Sequence, residues 1–363
     1  MWAYVLRRLV LIVPTLLGIM LINFAVLQFV PGGPVEQIIA KARGTGVDAT
    51  SRFSGGGSET GTAIGGGEDS GYRGAKNLEP EFIERLNKQF GLDKPAYERF
   101  WIMMGKYITF DFGNSFFRDQ SVIDLVLDKM PVSISLGLWT TLLVYLISIP
   151  LGIAKAVRDG TKFDAATSVV VVLGNAIPSF LFAILLIILF AGGRYLDWFP
   201  IRGLISDDWE TLSWPARIAD YFWHLVLPIF AMVIGGFAGL AMLTKNSFLE
   251  EINKQYVMTA RAKGLPERRV LYGHIFRNAM LIVIAGFPSA FVGILFTGAL
   301  LIEVIFSLDG LGLLGFEAAL QRDYPIMLAT LYIFTLLGLV LNLIGDLTYH
   351  FVDPRIDFES REV

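Results

Sequence analysis

An all-α integral membrane protein with six transmembrane helices is the fold class this sequence predicts. Three observations lead there. Of 363 residues, 54% are hydrophobic and 17% charged, with a mean hydropathy of +0.58. Soluble domains carry roughly 45–50% apolar and about 25% charged residues. The apolar excess is gathered into long runs, each reaching the ~20 residues that a bilayer crossing needs. The charges collect between those runs, and their sign changes from one connection to the next. The chain has no cysteine, which excludes disulfides, thiolate metal sites and a cysteine nucleophile.

Residues 1–30 hold a short N-terminal segment and the first span. Arg7 and Arg8 precede the run Leu9–Val30. That run is longer than a signal-peptide core and ends in Pro31-Gly32-Gly33-Pro34 with no Ala-x-Ala, so it reads as a retained helix. Its Asn23 and Gln28 are expected to face other helices. Residues 31–131 form a long polar excursion. Within it, Gly44–Gly74 contains eleven glycines, and 44–76 is expected to be flexible because it buries too little apolar surface to offset its ordering. Residues 79–130 are expected to be helical in three pieces: one opening at Glu79-Pro80 and capped by Gly91, one over Lys94–Phe110, and one over Ser121–Lys129 stopped by Pro131.

Residues 132–346 form the transmembrane core. The second span is Val132–Ala154, and the third is Ala165–Phe190, interrupted at Asn175 and Pro178. The fourth is Phe222–Leu243, with Pro228 and a Gly235-x-x-x-Gly239 spacing suited to close helix contact. Pro228 and Pro288 can break or bend their helices. The fifth and sixth spans are Ala279–Ile302 and Ile326–Ile344, and 347–363 is a tail. Lys245 and Asp346 are expected to snorkel to the interface. For Glu303, at the end of the fifth span, two placements stay open: an outer vestibule, or a pair with a basic group.

Between spans four and five lies Lys245–Arg277, a polar elbow within a loop of 245–278. Phe248, Leu249, Ile252, Tyr256 and Ala260 recur at helical spacing, predicting one amphipathic helix. Gly264 suits a left-handed residue past a helix end, and Pro266 the first position of the next helix. The small residues Thr259, Ala260, Ala262 and Gly264 would let another backbone approach. Charge orients the chain. The elbow carries seven bases and three acids and the 155–164 connection three and two, while 191–220 is net −2 and 303–325 net −3. Basic loops stay in the cytoplasm, so both termini and the elbow are expected inside and the 31–131 excursion outside.

Catalytic patterns are missing. The three histidines are scattered without His-Glu-x-x-His, and no Gly-x-Ser-x-Gly is present. Gly105-Lys106 is followed by Tyr107, so there is no phosphate-binding loop. His224 is read as interfacial and His274 as a surface group. Uphill transport by this chain would need energy from a partner.

The elbow TARAKGLPERRVLYGHIFRNA resembles the EAA loop of binding-protein-dependent ABC import permeases, in their oligopeptide/dipeptide branch. FAVLQFVPGGP, FDFGNSF, MPVSISLG, AIPSF, SLDGLGLLGFEA with RDYP, and VDPR match that branch's pattern in order. The enlarged excursion, Gly71-Tyr72-Arg73-Gly74 and the tail DPRIDFE resemble the Yej-type broad-specificity peptide permeases, which also admit the peptide–nucleotide antibiotic microcin C. Two positions depart: Met258 stands where the motif begins with an acid, and Asn278 where relatives often have proline.

The resemblance implies a type I ABC importer permease fold with an enlarged periplasmic loop, in a bacterial inner membrane. It implies a second homologous permease subunit, ATPase subunits that bind the ATP, a periplasmic binding protein, peptide as substrate, and lipid but no nucleic acid. No cofactor or metal is expected on the chain itself. Met258, Thr259, Ala260, Arg261, Ala262, Lys263, Gly264, Leu265 and Pro266 would form the ATPase-docking loop. Asn175, Pro178, Ser179, Ser289 and Glu303 are candidates for the translocation path. Two other readings stay open: a permease for nickel or another small solute, and a non-transport membrane scaffold or enzyme.

Overall fold

In the computed structural model, residues 2–29, 93–193, 195–293 and 300–352 are described. The glycine-rich 44–76 segment, the helix expected at Glu79 and the end of the tail lie outside them. Among the described residues every regular element is helical, apart from one bridge between Asn114 and Ser121. Four helices are long and apolar enough to cross a membrane, and two further helix pairs qualify if each bent pair is one span, which makes six.

The helices are α1 (Trp2–Phe29), α2 (Ala96–Ile108), α3 (Val122–Val157), α4 (Lys162–Ala176), α5 (Ser179–Phe190), α6 (Trp214–Ile252), α7 (Gln255–Ala262), α8 (Glu267–Val270), α9 (Phe276–Ala279), α10 (Leu281–Gly293), α11 (Leu300–Ile305), α12 (Leu311–Gln321) and α13 (Tyr324–Val352). A π-helical turn, Leu271–Ile275, separates α8 from α9.

Several expected boundaries move. Ser121 caps α3 rather than opening a separate short helix, its Oγ accepting from Asp124 N at 3.2 Å. That helix runs on through Pro131 and Pro150 for 36 residues. A proline removes one backbone donor, but within a packed membrane bundle the freed carbonyl can find another partner. α6 likewise passes Pro228 and continues to Ile252, so span four and the start of the elbow are one helix. The amphipathic helix expected across 248–260 is instead interrupted at Asn253-Lys254.

The break in the third span is where the sequence places it. Pro178 crowds the residue before it out of the helical region, and Ile177 sits at φ −86°, ψ 117°. α4 and α5 consequently meet at 92°.

Two compact units divide the chain: Met1–Ile12 with Met130–Gly312 and Leu336–Val363, and Val13–Lys129 with Leu313–Thr335. In the second, Phe100, Met104 and Tyr107 of α2 are buried. Phe100 meets Phe24 at 5.4 Å, and Tyr107 meets Phe112 and Tyr332 at 4.8 and 5.3 Å. Asp323 accepts from Ser115 Oγ and from Phe116 N, and Arg118 pairs with Glu317 at 2.5 Å. Here the Arg99 guanidinium donates to Gln28, while Asn23 bonds Ile19 O one turn back.

The first unit has two apolar cores. One gathers Leu136 and Val144 of α3, Ala183 and Leu186 of α5, Leu225, Leu227, Ile229, Ala231, Met232 and Val233 of α6, and Ile302 and Phe306. The other gathers Ile153 and Ala156 of α3, Phe248 of α6, and Val257, Ala260, Val270, Ile275 and Val283. The second core carries the elbow.

Helix contact is closest at glycines other than the expected pair. A methyl at Gly152 would stand 2.6 Å from Thr244 Cβ and 2.7 Å from Ala241 O, whereas one at Gly239 meets nothing within 4 Å. Gly235 is only loosely opposed, by Ser179 at 3.8 Å.

Candidate functional site

The elbow's turn is built by backbone chemistry. α7 ends at Ala262, and Gly264 follows at φ +77°. Gly264 N donates to Arg261 O at 2.9 Å, and Leu265 N reaches back to Ala260 O at 3.3 Å. This pair of bonds satisfies the last carbonyls of α7 and is the Schellman ending, with its apolar contact supplied by Leu265 against the Ala260 core. Pro266 is the residue before α8, whose first position is Glu267. Across the turn Arg261 clasps Glu267 through two bonds of 2.8 and 3.1 Å.

The turn divides the nine predicted docking residues. Met258, Thr259, Arg261, Ala262, Lys263, Gly264 and Pro266 are exposed, Met258 at 64%. Ala260 is buried and Leu265 half-buried, so these two anchor the elbow and are not part of its open face. His274 lies on the exposed part of the elbow as expected.

A polar knot ties the base of the elbow. Glu251, the next-to-last residue of α6, accepts from Lys254 Nζ and from Tyr256 OH at 2.6 Å. The Glu251 carboxylate raises the pKa of the Lys254 ammonium, and burial first and Glu251 second raise that of Tyr256. Ser247 Oγ adds a bond of 2.6 Å to Ala279 O.

Deeper along α6, Lys245 does not snorkel. It is 9% exposed, and its ammonium lies 2.7 Å from Asp164 Oδ2 and 2.8 Å from Asp159 Oδ1. Lys155, fully buried at the end of α3, pairs with Asp164 Oδ1 at 2.9 Å. It also donates to Asp164 O, Thr167 Oγ1 and Ser168 Oγ at 3.0, 3.1 and 2.7 Å. The sequence reading assigned Lys155 to a loop and missed Asp164. The available signal was a charged residue continuing each apolar helix. Asp346 is also paired, accepting from Tyr4 OH at 2.9 Å and lying 3.1 Å from Arg8. His224 is buried, with Nδ1 2.9 Å from Asp220 O.

The path candidates separate. Asn175 and Pro178 are exposed at the α4–α5 break, where Ser179 faces Gly235. Ser289 belongs to α10, but its side chain lies outside the described residues. Glu303 is fully buried and faces no vestibule. Ser133 Oγ donates to its carboxylate at 3.0 Å and accepts from Leu311 N at 2.8 Å. A side chain at Gly310 would overlap that carboxylate, so the glycines of SLDGLG make room for it.

Residues 148–358, which span the elbow, match the family described as binding-protein-dependent transport system inner membrane component. The chain belongs to that family; it is a multi-pass, non-catalytic permease subunit of an ABC import system. It is 61% identical, over the full length of both chains, to the peptidoglycan transport system permease protein YejB of Agrobacterium fabrum. It is 56% identical to the inner membrane ABC transporter permease protein YejB of Escherichia coli O157:H7, over 99% of this chain and all of that one. The oligopeptide transport system permease protein AppB of Bacillus subtilis is 34% identical over the same shares. In fold, the chain is similar to the MetNI methionine ABC transporter in its inward facing conformations. The TM-score is 0.50 at 15% identity, covering 63% of this chain and 97% of that one.

Proposed function

We propose that this chain is the membrane permease through which an ATP-driven importer carries peptides across the bacterial inner membrane. The observation that carries the reading is full-length identity of 61% and 56% to YejB permeases, joined at 34% by an oligopeptide permease. A peptidoglycan-derived cargo is favoured by the name of the Agrobacterium relative. Microcin C-like peptide conjugates fall in the same chemical class.

The chain pairs with a second, similar permease. ATPase subunits dock on the exposed elbow face of Met258, Thr259, Arg261, Ala262, Lys263, Gly264 and Pro266, and a periplasmic binding protein delivers the peptide. The elbow and both termini face the cytoplasm, in keeping with the charge asymmetry of the loops. Asn175, Pro178 and Ser179 lie on the translocation path. Broken helices fit such a place, because freed backbone groups survive in a membrane where they meet protein or a water-filled cavity.

The test is reconstitution of the complete complex in proteoliposomes with a labelled tripeptide mixture. ATP-dependent uptake that unlabelled peptides and peptidoglycan-derived peptides compete away is expected. Uptake of nickel unaffected by peptides would reverse the substrate assignment, and failure of any ATPase to copurify would favour a scaffold.

A further inference from the structure

The buried ions around Asp164 do more than neutralise one another. Asp164 stands in the first turn of α4 and presents one oxygen to Lys155 of α3 and the other to Lys245 of α6, at 2.9 and 2.7 Å. Thr161 Oγ1 accepts from Asp164 N at 3.4 Å, and Gly160 N donates to Asp164 Oδ2 at 3.3 Å, so the carboxylate is oriented by its own turn. Asp159 gives Lys245 a second anion at 2.8 Å. At the same level α3 and α6 make close backbone contact, with Gly152 against Ala241 and Thr244. Three helices are joined at one point by ion pairs in which Lys155, Asp164 and Lys245 are largely shielded from water.

What the three helices lead to gives the joint its meaning. α6 carries the elbow without interruption from Lys245 to Ile252. α4 leads from Asp164 to the 92° break at Ile177-Pro178, beside Asn175 and Ser179. We propose that Lys245 and Asp164 are positioning residues for transport: their ion pair makes α4 move with α6, so that displacement of the elbow by its partner reaches the broken span. This rests on the permease reading above.

The informative variant is Lys245→Gln. It leaves Lys155 and Asp164 as a neutral pair and Asp159 half in solvent, with its side chain 51% exposed, so no buried charge is stranded. In the reconstituted complex with a labelled tripeptide mixture, Lys245→Gln should assemble normally and hydrolyse ATP within about twofold of wild type. Peptide taken up per ATP should fall at least about tenfold, and Lys245→Arg, which can still bridge both aspartates, should restore most of it.

A second measurement does not depend on transport. The chain has no cysteine, so cysteines at the exposed positions Lys162 and Asn246 accept spin labels cleanly. Their separation in the complex should be single and unchanged with or without ATP in the wild type, and should spread into several distances in Lys245→Gln. A wild-type separation that changes with ATP overturns the joint even if peptide is transported. So does a Lys245→Gln complex with wild-type uptake per ATP, or one whose uptake and hydrolysis fall together. Absence of uptake by the wild-type complex instead overturns the permease reading, and the label distances still decide the joint.

Discussion

Gly264 offers a sharp test of the elbow because its two possible roles separate cleanly. Its φ of +77° is left-handed backbone, yet a Cβ placed there meets no atom of the chain within 4 Å. Substitution therefore strains the turn without any internal clash. Left-handed backbone costs a residue with a Cβ roughly 1–2 kcal/mol, least for asparagine and aspartate. A β-branched residue is still worse placed. That strain corresponds to a factor of about 5–30 in the population of the native turn. In ATP-dependent uptake at matched membrane levels, Gly264→Asn should stay within about threefold of wild type, Gly264→Ala should lose about tenfold, and Gly264→Val more. Gly264→Asp adds only a charge to the asparagine variant. Its expected abolition of uptake therefore reports the partner's surface and not a lack of room in this chain. Equal uptake by the Asn and Ala variants would refute the backbone explanation, and equal uptake by Asn and Asp would remove the docking face from Gly264.

The remaining predictions concern packing, pH and contact. Gly152→Leu should destabilise the detergent-solubilised protein by about 1–3 kcal/mol in thermal unfolding, through overpacking against Thr244 and Ala241, while Gly239→Ala should be neutral or slightly stabilising. Burial raises the Tyr107 phenol above its ordinary value of 10.0. The folded state then holds that proton more tightly than the unfolded one, so its contribution is complete below about pH 10 and declines as pH rises further. Tyr107→Phe should flatten this alkaline loss in a pH series of unfolding temperatures, and an unchanged slope would count against it. Met258→Ala should leave the subunit's own stability unchanged within about 0.5 kcal/mol, because the side chain is mostly exposed, yet weaken ATPase copurification about tenfold. Unaltered copurification would take Met258 out of the contact.

Much of this architecture was written in local patterns. Apolar runs located the spans, Pro178 located the break by restricting Ile177, and Gly264 located the left-handed turn. What stayed hidden depended on partners distant in sequence. Pro131 and Pro228 read as helix breakers, but their helices continue because the surrounding bundle holds them. Gly235-x-x-x-Gly239 had the spacing for close contact, while the tight contact belongs to Gly152, whose spacing carries no such mark. Lys245 looked like a residue near a span end. Its burial depends on Asp164, 81 positions away, and no periodicity reports that. Glu303 likewise needed Ser133, 170 positions earlier, and the glycines that follow it.

The continuity of α6 changes how the elbow can act. At about 1.5 Å per residue its 39 residues extend roughly 58 Å, against a hydrocarbon core of about 30 Å. Much of the helix therefore projects past the bilayer as an arm. Helices bend where a proline, a π turn or an inserted group interrupts them. Between Lys245 and Ile252 there is no proline, and the π-helical turn lies beyond the elbow's tip, at Leu271–Ile275. The side of the elbow joined to α6 is therefore stiff, and Glu251, held by Lys254 and Tyr256, closes its base. The side leading to α10 contains both the π turn and a 48° bend. Under the proposed docking, a push on the exposed face would pass along α6, and the π turn and bend of the return side would take up the distortion. Met258 places a flexible thioether on the exposed face proposed to receive that push.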